Sequence, residues 1–76
     1  MNAIRAKLRK AFQSGTLQAR QVRSDGKRTP DAEWKTAQAA FLTAEDFKAG
    51  PYAWAIKDLG NGVFLLSRAY ADFEVR

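Results

Sequence analysis

The chain has 76 residues, 46% of them hydrophobic, and a formal net charge of +5. This length predicts one domain near the lower limit of what folds alone, and its stability must come from an apolar core because no cysteine is present to form a disulfide. The absence of histidine excludes a Cys/His zinc site and removes the side chain most often used in general acid–base catalysis. We therefore expect a protein that is not an enzyme and that needs no cofactor or metal.

The positive charge is concentrated towards the N-terminal end. Eight of the 13 Lys and Arg residues precede Thr29, together with one of the eight Asp and Glu residues. Such asymmetry is typical of proteins that bind a negatively charged partner, although a solvated charged face is the common alternative. The candidate residues for binding nucleic acid or an acidic protein are Arg5, Lys7, Arg9, Lys10, Arg20, Arg23, Lys27 and Arg28.

The first predicted element is a basic amphipathic helix. Ile4, Leu8 and Phe12 recur every four residues, which places them on one helical face, and cations occupy the rest of the circumference. Gly15 predicts the end of the helix, because glycine tolerates the left-handed conformation found there. Basic amphipathic helices also bind membrane surfaces. In so small a chain these apolar side chains are needed for the core, so we expect no membrane binding.

The next segment, residues 16–23, follows neither a helical nor a strand period clearly. Leu17 and Ala19 share one strand face while Val22 lies on the other, and a Ser-Asp-Gly loop signal follows. We predict a short, polar edge strand. The alternative is a second helix, which would give residues 2–23 the outline of a helix-turn-helix.

Two interpretations compete for residues 33–42. Thr29-Pro30 is typical of a helix start, and Trp34 and Phe41 fit one helical face, which slightly favours a helix. The rival interpretation pairs these residues as a strand with residues 16–23 across the intervening loop.

A short helical turn is predicted at residues 43–50. Thr43 can cap it, and Glu45 and Asp46 fall in the first turn, where negative charge favours the helix dipole. We expect one to two turns, with Phe47 pointing inward.

The last third predicts a β-hairpin. Asn61-Gly62 lies between two apolar runs, which is the strongest short-range hairpin signal. A helix from Pro51 to Gly60 is the alternative. The final segment, ADFEVR, either continues the second strand or forms a tail packed by Phe73.

Together these elements predict an α+β fold: a small single domain, residues 1–76, in which a basic N-terminal helix packs on a short antiparallel sheet with a C-terminal hairpin. The leading functional hypothesis is a non-enzymatic protein that docks on a polyanion, most simply nucleic acid. The alternative is a protein-directed inhibitor or adaptor, of the kind mobile elements encode, that binds a nucleic-acid-handling or other acidic protein.

Three further expectations concern partners and location. Exposed aromatic side chains of the hairpin could stack on single-stranded nucleic acid, although such residues more often form the core. If both faces of the hairpin are apolar, one face could form a homodimer. The lack of cysteine is compatible with the reducing cytoplasm, where we place the protein. The aromatic candidates are Tyr52, Trp54, Phe64 and Tyr70.

Overall fold

A computed structural model describes residues 2–25, 27–28, 33–51, 53–69 and 71–76. In these ranges the chain forms one α-helix, a single 3₁₀ turn and one antiparallel six-stranded sheet with the order β2-β1-β6-β5-β4, in which β3 also pairs with β1. The elements are α1 (Asn2–Gln13), β1 (Gln18–Ser24), β2 (Lys27–Arg28), β3 (Lys35–Thr36), η1 (Ala44–Phe47), β4 (Ala55–Gly60), β5 (Val63–Ser67) and β6 (Ala71–Val75). The predicted α+β fold class is confirmed.

The predicted helix and its end are confirmed in α1. Beyond Gln13 the chain turns with Gly15 at φ +77°. The Gly15 N–H donates to the Phe12 carbonyl at 3.1 Å and the Thr16 N–H donates to the Ala11 carbonyl at 3.0 Å. These two bonds form a Schellman motif, which satisfies carbonyls that the helix itself leaves without partners. Among the described residues, no helix has both the length and the apolar character that crossing a membrane requires.

The core lies where α1 and η1 meet one face of the sheet. Leu8 of α1 is buried, and Ile4 and Phe12 pack against the same cluster. The rings of Phe12 and Phe47 lie 5.9 Å apart in a tilted pair, which is a favourable aromatic geometry. The buried hydrophobic side chains are Leu8, Leu17, Ala19, Ala37, Ala40, Leu42, Phe47, Ile56, Phe64, Leu66, Phe73 and Val75.

Residues 18–24 form a strand, as predicted, but β1 does not lie at an edge of the sheet. It pairs with β6 on one side and with both β2 and β3 on the other. The edge-strand prediction is therefore wrong, and so is the alternative of a second helix. The main partner of β1 lies about fifty residues further along the chain, so no local pattern shows that the strand is central.

The helix predicted for residues 33–42 is wrong. Lys35 and Thr36 form the short strand β3 on β1, and the Ala37 N–H donates to the Leu17 carbonyl at 2.9 Å. The rival interpretation, pairing with residues 16–23, is thus correct for β3. Residues 37–41 then form a single turn whose buried members are alanines, while Phe41 is exposed. The helix start proposed at Thr29-Pro30 lies outside the described residues.

The turn predicted at residues 43–50 is present as η1. The Thr43 N–H donates to Asp46 Oδ2 at 2.7 Å, so the Asp46 carboxylate caps the turn. Asp46 is buried and also lies 3.5 Å from Arg68 Nε. Phe47 points into the core, as predicted, and is 1% exposed.

The predicted hairpin is formed by β4 and β5, so the helix proposed from Pro51 to Gly60 is wrong over residues 53–60. Asn61 and Gly62 have φ values of +56° and +77°, which match a turn whose two central residues are both left-handed. Phe64 and Leu66 of β5 face the core, and Ile56 of β4 lies opposite Leu66. Both expectations for the final segment are wrong, because it neither extends β5 nor forms a tail. It is a separate strand, β6, which pairs antiparallel with β5 and lies between β1 and β5, with Phe73 buried in the core.

Candidate functional site

The structure separates the eight candidate cations by element. Four lie on α1, two on β1 and two on β2. Among the described elements α1 packs against η1, and β2 is not an element that it contacts. The cations of the helix and those of the β1–β2 hairpin therefore form separate groups.

The two cations of β1 are paired with acids on the neighbouring strand. Arg20 lies opposite Glu74, and its Nε donates to Glu74 Oε1 at 2.8 Å. Arg23 lies opposite Asp72 and donates from Nε to Oδ2 at 2.7 Å and from Nη2 to Oδ1 at 3.1 Å. The hydrogen bond to Asp72, followed by the attraction of its charge, raises the pKa of Arg23. Both cations thus have compensated charges.

Arg20 also takes part in an arrangement around Trp34. The Cζ atom of Arg20 lies 4.6 Å from the centroid of the Trp34 ring, and that of Arg76 lies 4.0 Å from it. Arg76 in turn donates from Nε to Gln18 Oε1 at 2.9 Å. These cation–π contacts engage the indole ring and hold the two arginines against the sheet.

The cations of α1 have a different environment. None of the four lies within 4.0 Å of a carboxylate oxygen in the part of the chain that the structure describes. Lys7, Arg9 and Lys10 are exposed, and Arg5 is half-buried. With no acid on the helix, the positive charges repel one another and are screened only by solvent. A bound anion would relieve that repulsion.

A shallow groove of about 430 Å³ runs beside the helix, and we call it the α1 groove. Three of the four helix cations line it, and so do Phe47 of η1 and Ala49, which follows η1. The groove therefore combines positive side chains with a small apolar surface. Its lining residues are Arg5, Ala6, Arg9, Lys10, Gln13, Phe47 and Ala49.

Arg5 carries a polar atom that lacks a protein partner. Its Nη1 is buried and makes no hydrogen bond to any described residue. Leaving a buried donor unsatisfied costs about 1–3 kcal/mol, and more for a charged group. Arg5 also lines the groove, so a modest shift of its side chain would bring this donor to an anionic oxygen bound there.

Lys27 and Arg28 are exposed on the two-residue strand β2, at the outer end of the described sheet. They oppose Ser24 and Arg23 of β1. No described carboxylate lies within 4.0 Å of either cation. They form a second, smaller basic site, and β2 makes no contact with α1 that would connect this site to the α1 groove.

One exposed aromatic residue was not identified from the sequence. Phe41 is 87% exposed, although the helical period had placed it on an inward face with Trp34. Its turn lies at the C-terminal end of α1, because Gln38 Nε2 donates to the Phe12 carbonyl at 2.7 Å. No sequence signal marks Phe41 as exposed, since that required knowing that residues 37–41 form one turn and not a helix.

The aromatic residues proposed earlier as a stacking surface are not available together. Phe64 is in the core, and Trp54 is half-buried with the Arg68 guanidinium 5.9 Å from its ring centroid. Tyr52 and Tyr70 lie outside the described residues. The described residues also hold no group of three or more acidic side chains arranged to bind a metal ion.

Comparison with known proteins identifies no relative: no family model, no curated protein and no solved structure matches this chain. The function must therefore be argued from the residues and their geometry.

Proposed function

We propose that this protein is a non-enzymatic binding protein that docks on a polyanion, most simply nucleic acid, through the α1 groove. The observation that carries the proposal is the difference between the cations of α1 and those of β1. Arg20 and Arg23 have carboxylate partners, whereas the helix cations have none among the described residues. Arg5, Lys7, Arg9 and Lys10 supply the charge.

The physical basis is the release of counterions. Each phosphate that a Lys or Arg neutralises frees condensed cations, so affinity falls as salt rises. The three cations that line the groove predict that binding weakens roughly 20- to 40-fold between 50 and 200 mM salt, and a contact from Lys7 outside the groove would steepen this dependence. Lys27 and Arg28 would add to this dependence only if the polymer is long enough to reach β2.

The test compares two double variants that remove the same charge. Arg9→Gln with Lys10→Gln changes the groove, and Lys35→Gln with Lys57→Gln removes two exposed cations on β3 and β4. Fluorescence anisotropy with labelled single-stranded and duplex oligonucleotides measures affinity at low and high salt. We expect the groove variant to lose roughly tenfold or more in affinity and the control to change little. Equal losses would indicate attraction by net charge alone, and no binding at low salt would exclude the proposal.

The second candidate is an adaptor or inhibitor that binds an acidic protein through the same cations. The uncompensated charge of α1 supports it equally, because a carboxylate-rich surface offers the same attraction. A pull-down from source-cell lysate with and without nuclease separates the two, since capture of a protein that survives nuclease favours the second. The cytoplasm is the proposed location in both cases.

A homodimer through the β4–β5 hairpin stays a proposal. In the described sheet β4 forms the outer strand, and Leu59 on it is 43% exposed. Lys57, Asp58 and the irregular register around Leu59 are features that discourage pairing of one edge with another. Sedimentation at high protein concentration tests this, and a strict monomer would exclude the dimer.

A further inference from the structure

We infer that the polyanion held at the α1 groove is single-stranded nucleic acid and that Phe41 stacks on one of its bases. This inference rests on the proposed function and adds a residue and a substrate class to it. Phe41 and Leu59 are the large hydrophobic side chains that stay exposed in the described structure, and Phe41 is by far the more exposed, at 87%.

The surroundings of Phe41 favour a nucleic-acid base, and not an apolar protein surface, as the binding partner of its ring. Gln38, Ala39 and Thr43, its neighbours in the turn, are also exposed and provide no large apolar side chain. A stable protein interface buries a contiguous patch with a hydrophobic centre, whereas a base needs only one open ring face. An isolated exposed phenylalanine therefore suits stacking better.

The backbone at Phe41 is in a conformation that a bulky residue rarely adopts. Its φ is +63°, and two hydrogen bonds fix the turn: Phe41 N–H to the Gln38 carbonyl at 3.0 Å and Leu42 N–H to the Ala37 carbonyl at 3.1 Å. This is a Schellman motif in which glycine is the preferred residue at the left-handed position. The phenylalanine neither relieves that strain nor contributes to the core, so the fold itself does not account for the ring.

The turn also presents the ring on a rigid base. Ala37, Ala40 and Leu42 are buried, and the Ala37 N–H is bonded to the Leu17 carbonyl of the chain leading into β1. The backbone on both sides of Phe41 is thus anchored in the core. A ring held in this way loses little conformational freedom when a base stacks on it.

The turn that carries Phe41 lies near one end of the groove. The bond from Gln38 to the Phe12 carbonyl places the turn at the C-terminal end of α1, and the last turns of that helix contribute Lys10 and Gln13 to the groove. A strand whose phosphates follow the groove past Gln13 continues towards this turn, and we place one of its bases on the Phe41 ring. In a duplex the bases are paired and stacked inside, so the ring would have no partner.

The rings of both tryptophans already have guanidinium groups beside them. Trp34 has the Arg20 and Arg76 guanidinium groups over its ring, at 4.6 and 4.0 Å from the centroid. Phe41 has no such neighbour among the described residues. Its ring is the one that the described structure leaves open for stacking.

The experiment compares probes whose bases are open, absent or paired. Three probes are used: a short single-stranded oligonucleotide, an abasic strand with the same number of phosphates, and the corresponding duplex. For the unmodified protein we expect affinity for the base-bearing strand to exceed that for the abasic strand roughly tenfold. Phe41→Gly should abolish this difference and leave binding to the abasic strand unchanged, while Phe41→Trp should preserve it.

The glycine variant is suited to this test because it removes backbone strain, so unfolding cannot explain lost binding; its melting temperature should rise. Equal, salt-dependent binding of all three probes would overturn the inference while the proposed function stands. If Phe41→Gly still prefers the base-bearing strand over the abasic strand, the inference is also overturned. The exposed ring would then fit an apolar pocket of a partner protein better than a base. Failure of every probe to bind at low salt would remove the proposed function and the inference together.

Discussion

Arg23 on β1 and Asp72 on β6 form a two-point ion pair across neighbouring strands, with donor–acceptor distances of 2.7 and 3.1 Å. This geometry uses two of the Arg23 N–H groups and compensates its charge, which leaves Arg23 less able to attract an external anion. We therefore predict that Arg23→Gln leaves oligonucleotide affinity almost unchanged and slightly lowers the melting temperature. Lys10→Gln is the matched control because it removes one charge from the groove. It should lower oligonucleotide affinity and leave the melting temperature almost unchanged. A loss of affinity in Arg23→Gln as large as in Lys10→Gln would contradict the assignment.

Replacing Phe41 by glycine should stabilise the fold. A left-handed conformation costs an L-residue about 1 kcal/mol relative to glycine, and the exposed ring buries little surface in return. The glycine also makes the unfolded chain more flexible, which reduces the gain. We expect the free energy of unfolding in urea to rise by up to about 1 kcal/mol. Phe41→Ala, which removes the ring and keeps the strain, is the control; a drop in stability for the glycine variant would show that the ring supports the fold.

The hairpin turn allows the converse substitution, in which the left-handed glycine Gly62 is replaced by alanine. Nothing lies within 4 Å of a Cβ atom placed there, so Gly62→Ala introduces strain at φ +77° without any clash. We expect it to destabilise the protein by about 1 kcal/mol, measured by urea denaturation. Asn61→Gly, at the neighbouring left-handed position, should be close to neutral because both residues tolerate that conformation. Equal effects of the two substitutions would contradict this account of the turn.

Adjacent leucines on β5 should differ strongly in their contribution to stability. Leu66 is 0% exposed in the core, whereas Leu65 points to the other face of the sheet and is half-buried. Leu66→Ala leaves a cavity and should cost about 2–5 kcal/mol, enough to unfold much of so small a domain. Leu65→Ala removes the same atoms and should cost about 1 kcal/mol. Thermal denaturation followed by circular dichroism measures both stabilities. Similar losses would contradict the assignment of Leu66 to the core face of β5 and of Leu65 to the opposite face.

The elements predicted correctly from the sequence depend on neighbouring residues. The end of α1 is encoded by a glycine that adopts the left-handed conformation, and the hairpin is encoded by Asn61-Gly62. η1 depends on a carboxylate three residues beyond Thr43. Each of these signals acts within one turn of the chain, so a short window of sequence is enough to detect it.

The features missed from the sequence depend on distant partners. Trp34, Ala37 and Phe41 have helical spacing, but pairing of the preceding residues with β1 keeps the segment from becoming a helix. The same limit affected the candidate site. Arg20 and Arg23 were grouped with the helix cations because their acidic partners lie 54 and 49 residues away. Phe41 was placed on one helical face with Trp34 for the first reason, so the sequence did not indicate that its ring is exposed.

The central position of β6 determines when the domain can fold during synthesis. β1 is made early, yet β6, the strand that pairs with its inner edge, is made after every other described element. Until then Leu17 and Ala19 have no sheet to complete their burial, and the nascent chain exposes an apolar strand with unpaired backbone groups. Folding governed by such long-range pairing is slow for a protein of this size. Unfinished chains therefore expose this apolar strand for most of their synthesis, a condition that favours aggregation over correct folding.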